Sequence, residues 1–129
     1  MRASAAPARV LMPEKTTFTV AQHFANRATT VRTTYAAIVK AARGFGPVRE
    51  EAKKTSIHLV RKTAFAGVAT RRAALILTLK SASDITSPRI RKRERASANR
   101  WHLEVELATP AKVDREVRDW LHRAYELAD

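Results

Sequence analysis

Four arginines alternate along one short stretch: Arg89, Arg91, Arg93 and Arg95. On a strand, residues two apart share a face and lie about 6.6 Å from each other. That interval is close to the phosphate spacing of a nucleic-acid strand, and the planar guanidinium fork offers phosphate two parallel hydrogen bonds. The stretch is therefore expected to follow a phosphate backbone, with Arg71 and Arg72 adding to the same field. Arg49, Lys53, Lys54, Arg61 and Lys62 join them if the sheet faces outward. The competing reading is a solvated strand whose charges only protect a sheet edge.

Other residue sets suggest other chemistry. Glu51-Ala52-Lys53 has the Glu-x-Lys spacing of many metal-dependent nucleases. That chemistry needs a further acid to hold a divalent cation, and Glu50 is the nearby helper. His102, Glu104 and Glu106 alternate on one strand face, where imidazole beside carboxylates could act as acid and base. Metal ligation usually needs three or four converging ligands, which a single strand spaces too widely. Glu51, Lys54, Arg89 and His102 come from different segments and could line a pocket for a small anion between sheet and helices. With three glycines in all, no Gly-rich phosphate loop is present, and no nucleophile-elbow motif occurs. No catalytic residue, metal or cofactor is assigned, and binding is favoured over catalysis.

The elements that must hold these residues can be read from periodicity. Residues 1–17 form a flexible basic tail of bacterial type, and residues 18–129 a single domain. Thr19 caps a short helix to Asn26. Thr30 caps a second over 31–43, with Val31, Tyr35, Ile38, Val39 and Ala42 on one side. Arg43-Gly44 ends it, the glycine being free to take positive φ. Strands follow at Ile57–Lys62, Ala64–Val68, Ala73–Leu79, Arg89–Arg95 and Trp101–Leu107, the last alternating apolar and polar without a break. Ser81–Pro88 is a loop. The closing helix covers 113–127, with Asp114 and Glu116 at its positive end. Strands grouped between helices give an α+β fold: two N-terminal helices, an antiparallel sheet of about five strands, and a C-terminal helix packed on it.

Composition narrows the function classes. The formal net charge is +13 over 129 residues, and residues 40–100 hold sixteen Lys/Arg against four acids. Such an excess concentrates anions near the surface and weakens with salt. There is no cysteine, so disulfides and thiolate chemistry are excluded. The longest apolar run, Ala73–Leu79, is far shorter than the roughly 18 residues of a membrane span. A cytoplasmic location and no membrane partner are the expectation. Aromatic residues are scarce, and Phe65, Trp101 and Trp120 look like core, so stacking of single strands is poorly supplied.

One resemblance is visible in the residues. Gly46-Pro47 is followed by Glu51, Lys54, an isoleucine strand at Ile57, and Phe65-Ala66-Gly67-Val68. Ser87-Pro88-Arg89, His102, Trp120-Leu121 and Ala124-Tyr125 complete the pattern. From about Phe18 onward the chain resembles the domain-of-unknown-function family 5655. The resemblance implies no biochemical activity. Members are sometimes labelled predicted transport proteins, and some relatives adjoin nuclease-like domains.

The functional expectation is thus a small basic domain that binds a polyanion, DNA or RNA, through phosphate contacts. The alternative is a protein-interaction or small-anion module, and the third reading is a metal-dependent nuclease-like enzyme. The oligomeric state is open, a dimer included.

Overall fold

Leu75, Leu77 and Leu79 alternate with Ile76, Thr78 and Lys80, and this period of two sets the centre of the molecule. The computed structural model describes residues 17–129. The expected basic tail, Thr17 apart, lies outside the described residues.

A helical turn at Ala21–Phe24 leads into helix α1 (Thr29–Arg43). The strands follow: β1 (Arg49–Ala52), β2 (Ile57–Val60), β3 (Ala64–Thr70), β4 (Leu75–Ser81), β5 (Ile90–Ser97) and β6 (Arg100–Leu107). A short turn at Pro110–Lys112 precedes helix α2 (Arg115–Leu127). The sheet order is β1-β2-β3-β4-β6-β5, and every neighbouring pair is antiparallel.

Register places the apolar residues on one face. Leu75, Leu77 and Leu79 stand opposite Leu107, Val105 and Leu103. Ile57 stands opposite Val68, which in turn meets Leu77. All of these are buried. Helix α1 covers this face with Val31, Tyr35, Ile38, Val39 and Ala42, and α2 with Val117, Trp120, Leu121, Ala124 and Tyr125. Burying a large aliphatic side chain contributes roughly 1.5–3 kcal/mol, so this layer dominates the stability. Among the described residues, the other sheet face carries no helix.

Three expectations are corrected. Among the described residues the sheet has six strands, because Arg49–Ala52 pairs with β2. Its sequence, Arg-Glu-Glu-Ala, lacks the apolar alternation that marks the others. Among the described residues there is one N-terminal α-helix, not two. The segment near Phe24 is a single 3-10 turn, held by reciprocal bonds in which the Gln22 amide donates to Thr19 Oγ1 and the Thr19 amide to Gln22 Oε1. Asn26, at φ 59°, turns the chain away directly afterwards. Finally, Thr30 does not cap α1. The N-cap is Ala28, without a side-chain bond, and the Thr30 carbonyl instead accepts the Thr33 and Thr34 hydroxyls.

The end of α1 differs from expectation too. Gly44 keeps a right-handed φ of −67°, and Gly46 takes the positive value, 156°. A Cβ at Gly46 would collide with the Tyr125 hydroxyl, which donates to the Pro47 carbonyl at 3.1 Å. This close approach ties the α1–β1 connection to α2.

A cationic cleft at one end of the sheet

The expected row of four arginines does not form. Arg89 precedes β5, and the strand is bulged between Ile90 and Lys92 and again between Arg95 and Ser97. Bulges break the period of two and turn successive side chains to different sides. Arg89 Nη1 reaches Asp114 at 2.9 Å and Glu116 at 3.2 Å, at the start of α2. Arg91 pairs with Glu106 at 3.4 Å on the bare face. Arg93 Nε meets Asp84 at 2.7 Å. Arg95 lies over the Trp101 ring at 5.9 Å and donates to the Ser97 and Ala98 carbonyls.

Local acids also neutralise cations elsewhere. Arg43 pairs with Glu50, Arg49 and Lys53 with Glu51, and Arg61 and Lys62 with Asp129. Glu50 and Glu51 point to opposite faces of β1. Glu50 accepts the Tyr35 hydroxyl and Arg43 on the helix side, and Glu51 stands opposite His58 on the bare side. The Glu-x-Lys spacing therefore gathers no acid pair for a cation.

Arg71, Arg72 and Lys54 are different. Arg71 and Arg72 lie in the β3–β4 turn, closed by the Arg71 amide donating to the Ala74 carbonyl at 2.7 Å. Lys54 lies in the β1–β2 turn, closed by Lys53 to Ser56 at 2.8 Å. The antiparallel order brings both turns to the same end of the sheet. The segment before α1 crosses that end, and the Ala28 amide donates to the Arg72 carbonyl at 2.8 Å.

Thr70 holds this junction together. It is buried, and its hydroxyl donates to the His23 carbonyl at 2.6 Å while accepting Arg27 Nε at 3.1 Å. Its carbonyl accepts Arg71 Nη1 at 3.2 Å. His23 Nε2 in turn donates to the Lys53 carbonyl at 2.8 Å. A buried hydroxyl satisfied in this way fixes its neighbours' geometry.

The result is a cleft of about 350 Å³ lined by His23, Arg27, Lys54, Thr70 and Arg71, with Gln22 and Thr55 at its rim. Arg27, Lys54, Arg71 and Arg72 are exposed. Among the described residues, no Asp or Glu lines the cleft and none of these four cations has an ion pair. The positive end of α1, at Thr29, adjoins Arg27.

Lys54, Glu51 and His102, expected in one pocket, are separated. Lys54 lines this cleft, Glu51 is held by Arg49 and Lys53, and His102 lies on the bare face opposite Lys80. The sequence did not mark Arg27 and His23. Each is an isolated polar residue in a short segment, and only the crossing over the sheet end joins them to the turns.

Among the described residues, fold and cleft together define a basic α+β domain: two helices on one face of a six-stranded antiparallel sheet, with a cationic cleft at one end that no Asp or Glu lines. A family model described as a domain of unknown function, DUF5655, matches residues 20–128, and the chain belongs to that family. No curated protein and no solved structure matches the chain.

Proposed function

We propose that this domain is a non-catalytic binder of a polyanion, the phosphate backbone of DNA or RNA. It would engage through Arg27, Lys54, Arg71 and Arg72. One observation carries the reading: Arg27, Lys54 and Arg71 line a single cleft, Arg72 follows in the same exposed turn, and among the described residues no carboxylate lines that cleft, whereas Arg89, Arg91 and Arg93 are each matched by an acid. Like charges placed together beside a helix's positive end destabilise the free protein. A bound phosphate would relieve that repulsion. Two arginines in succession in an exposed turn offer charge-assisted, bidentate contacts.

The contacts are to phosphate, so binding should depend on salt far more than on sequence. About four neutralised phosphates give a slope of roughly −3 to −4 in log affinity against log salt on duplex. Fluorescence anisotropy with a labelled duplex and a labelled single strand, from about 50 to 300 mM salt, measures this. The Arg71→Ala/Arg72→Ala double variant should lower affinity and reduce the slope by about 2. The Arg91→Ala/Arg93→Ala variant should change binding little. No binding at about 50 mM salt, or loss only in the second variant, overturns the proposal.

A further inference from the structure

The bare face of the sheet holds a second cavity, separate from the cationic cleft. It has a volume of about 340 Å³ and lies across β2, β3, β4 and β6. Its floor exists because Gly67 has no side chain. His58 and Thr78 flank Gly67 in register on either side, and Ala64 extends the same shallow surface. Lys80 and His102 face each other on the next two strands and close one side, and Ser56 contributes to the lining.

Among the described residues, the side chains of Ser56, His58, Thr78, Lys80 and His102 make no hydrogen bond and no ion pair. All five are partly buried. Such groups, left to water, can exchange it for the oxygens of a ligand. All five can donate: an ammonium, two hydroxyls, and two imidazoles that keep an N–H whatever their charge. Among the described residues, no carboxylate lines the cavity. Three acids border these donors on neighbouring strands: Glu51, opposite His58, is held by Arg49 and Lys53, and Glu104 stands between Thr78 and Lys92 in register. Glu94, opposite His102, is on the exposed edge strand.

A small apolar floor lined by donors, with one ammonium and no acid among the lining residues, suits a compact organic anion. The size falls within the range of small-molecule sites. The geometry points to a binding site for a small organic anion, a carboxylate or a phosphate monoester. Its apolar body would rest on Ala64 and Gly67, and its charged oxygens would meet Lys80, His102 and His58. A Cβ added at Gly67 would meet only the His58 ring, at 3.8 Å, so side chains can be introduced there without backbone strain.

The test is an NMR titration of the full chain with three probes of similar shape: benzoate, phenyl phosphate and the neutral benzamide. At least one of the two anions should shift the Gly67 and Thr78 amides and the ring signals of His58 and His102, saturating by about 10 mM, while benzamide does not. The more effective anion identifies the headgroup. Gly67→Val fills the notch with a residue suited to strands and should weaken binding about tenfold or more. Lys80→Met should do likewise by removing the charged donor. The Arg71→Ala/Arg72→Ala variant should leave this titration unchanged, which separates the site from the nucleic-acid reading. Absence of these shifts with both anions, equal shifts with benzamide, or shifts that survive both Gly67→Val and Lys80→Met would overturn the inference.

Discussion

Arg89 Nη1 donates to both carboxylate oxygens of Asp114, each at 2.9 Å, and so clamps the start of β5 to the start of α2. Its Nη2 also donates to the Lys112 carbonyl. Asp114 is at the same time the N-cap of α2, accepting the Val117 amide at 3.1 Å. An arginine whose type and spacing suggested phosphate binding is thus a structural tie, and its absence from the cationic end follows from this pairing.

Loss of this clamp should lower stability. Asp114→Ala removes both the cap and the ion pair. Caps are worth about 1 kcal/mol, and a pair this exposed adds less than about 1 kcal/mol. A combined loss of about 1–2 kcal/mol is expected in chemical denaturation at neutral pH. The Arg89 hydrogen bond, followed by the Val117 amide, holds the Asp114 carboxyl below its ordinary range. Its contribution is therefore present above the unfolded-state value and is lost as acid drives the pH down through the lowered folded value. Asp114→Asn should flatten the fall in stability below about pH 4; an unchanged acid profile would refute this.

Tyr35 donates to Glu50 Oε1 at 2.5 Å beneath α1. Burial first, then this bond and the Glu50 charge, push the phenol well above its ordinary range. The neutral phenol is favoured in the folded state, so its stabilisation is full below the unfolded value and declines as pH rises beyond it. Wild type should lose stability above about pH 10, and Tyr35→Phe should lose less over the same interval. At neutral pH the substitution should cost about 1 kcal/mol. Denaturation curves at pH 7 and pH 11 compare the two.

Gly46→Ala should be among the more damaging single-methyl changes, by about 1–3 kcal/mol, since the added carbon meets the Tyr125 hydroxyl. Tyr125→Phe removes that oxygen along with its bond to Pro47. The double variant should be more stable than the two single losses predict, and thermal melts of all four proteins give the coupling. Strict additivity would show that the contact is not the cause.

Leu77 is fully buried at the centre of the sheet, between Val68 and Val105. Leu77→Ala should cost about 2–5 kcal/mol. Arg91→Ala, which breaks an exposed pair with Glu106, should cost less than about 1 kcal/mol. The contrast, read by urea denaturation, checks that stability resides in the apolar layer and not in the surface charges.

What the sequence by itself determined is the set of elements whose period is strong. The stripe of Val31, Tyr35, Ile38, Val39 and Ala42 required a helix. Alternation from Trp101 to Leu107 required a half-buried strand, and the apolar run through Leu79 a central one. Apolar side chains must leave water whatever their neighbours, so their spacing specifies local structure on its own. The charged segments lack that constraint. A solvated guanidinium accepts any nearby acid, and which acid is near depends on strand order, bulges and helix docking. Tertiary structure alone therefore decided that Arg89, Arg91 and Arg93 are neutralised, and that Arg27 and Lys54 join Arg71 and Arg72 at one end of the sheet. It also opened the bare face around Gly67, because only the pairing of β2, β3, β4 and β6 places His58, Lys80 and His102 around one missing side chain.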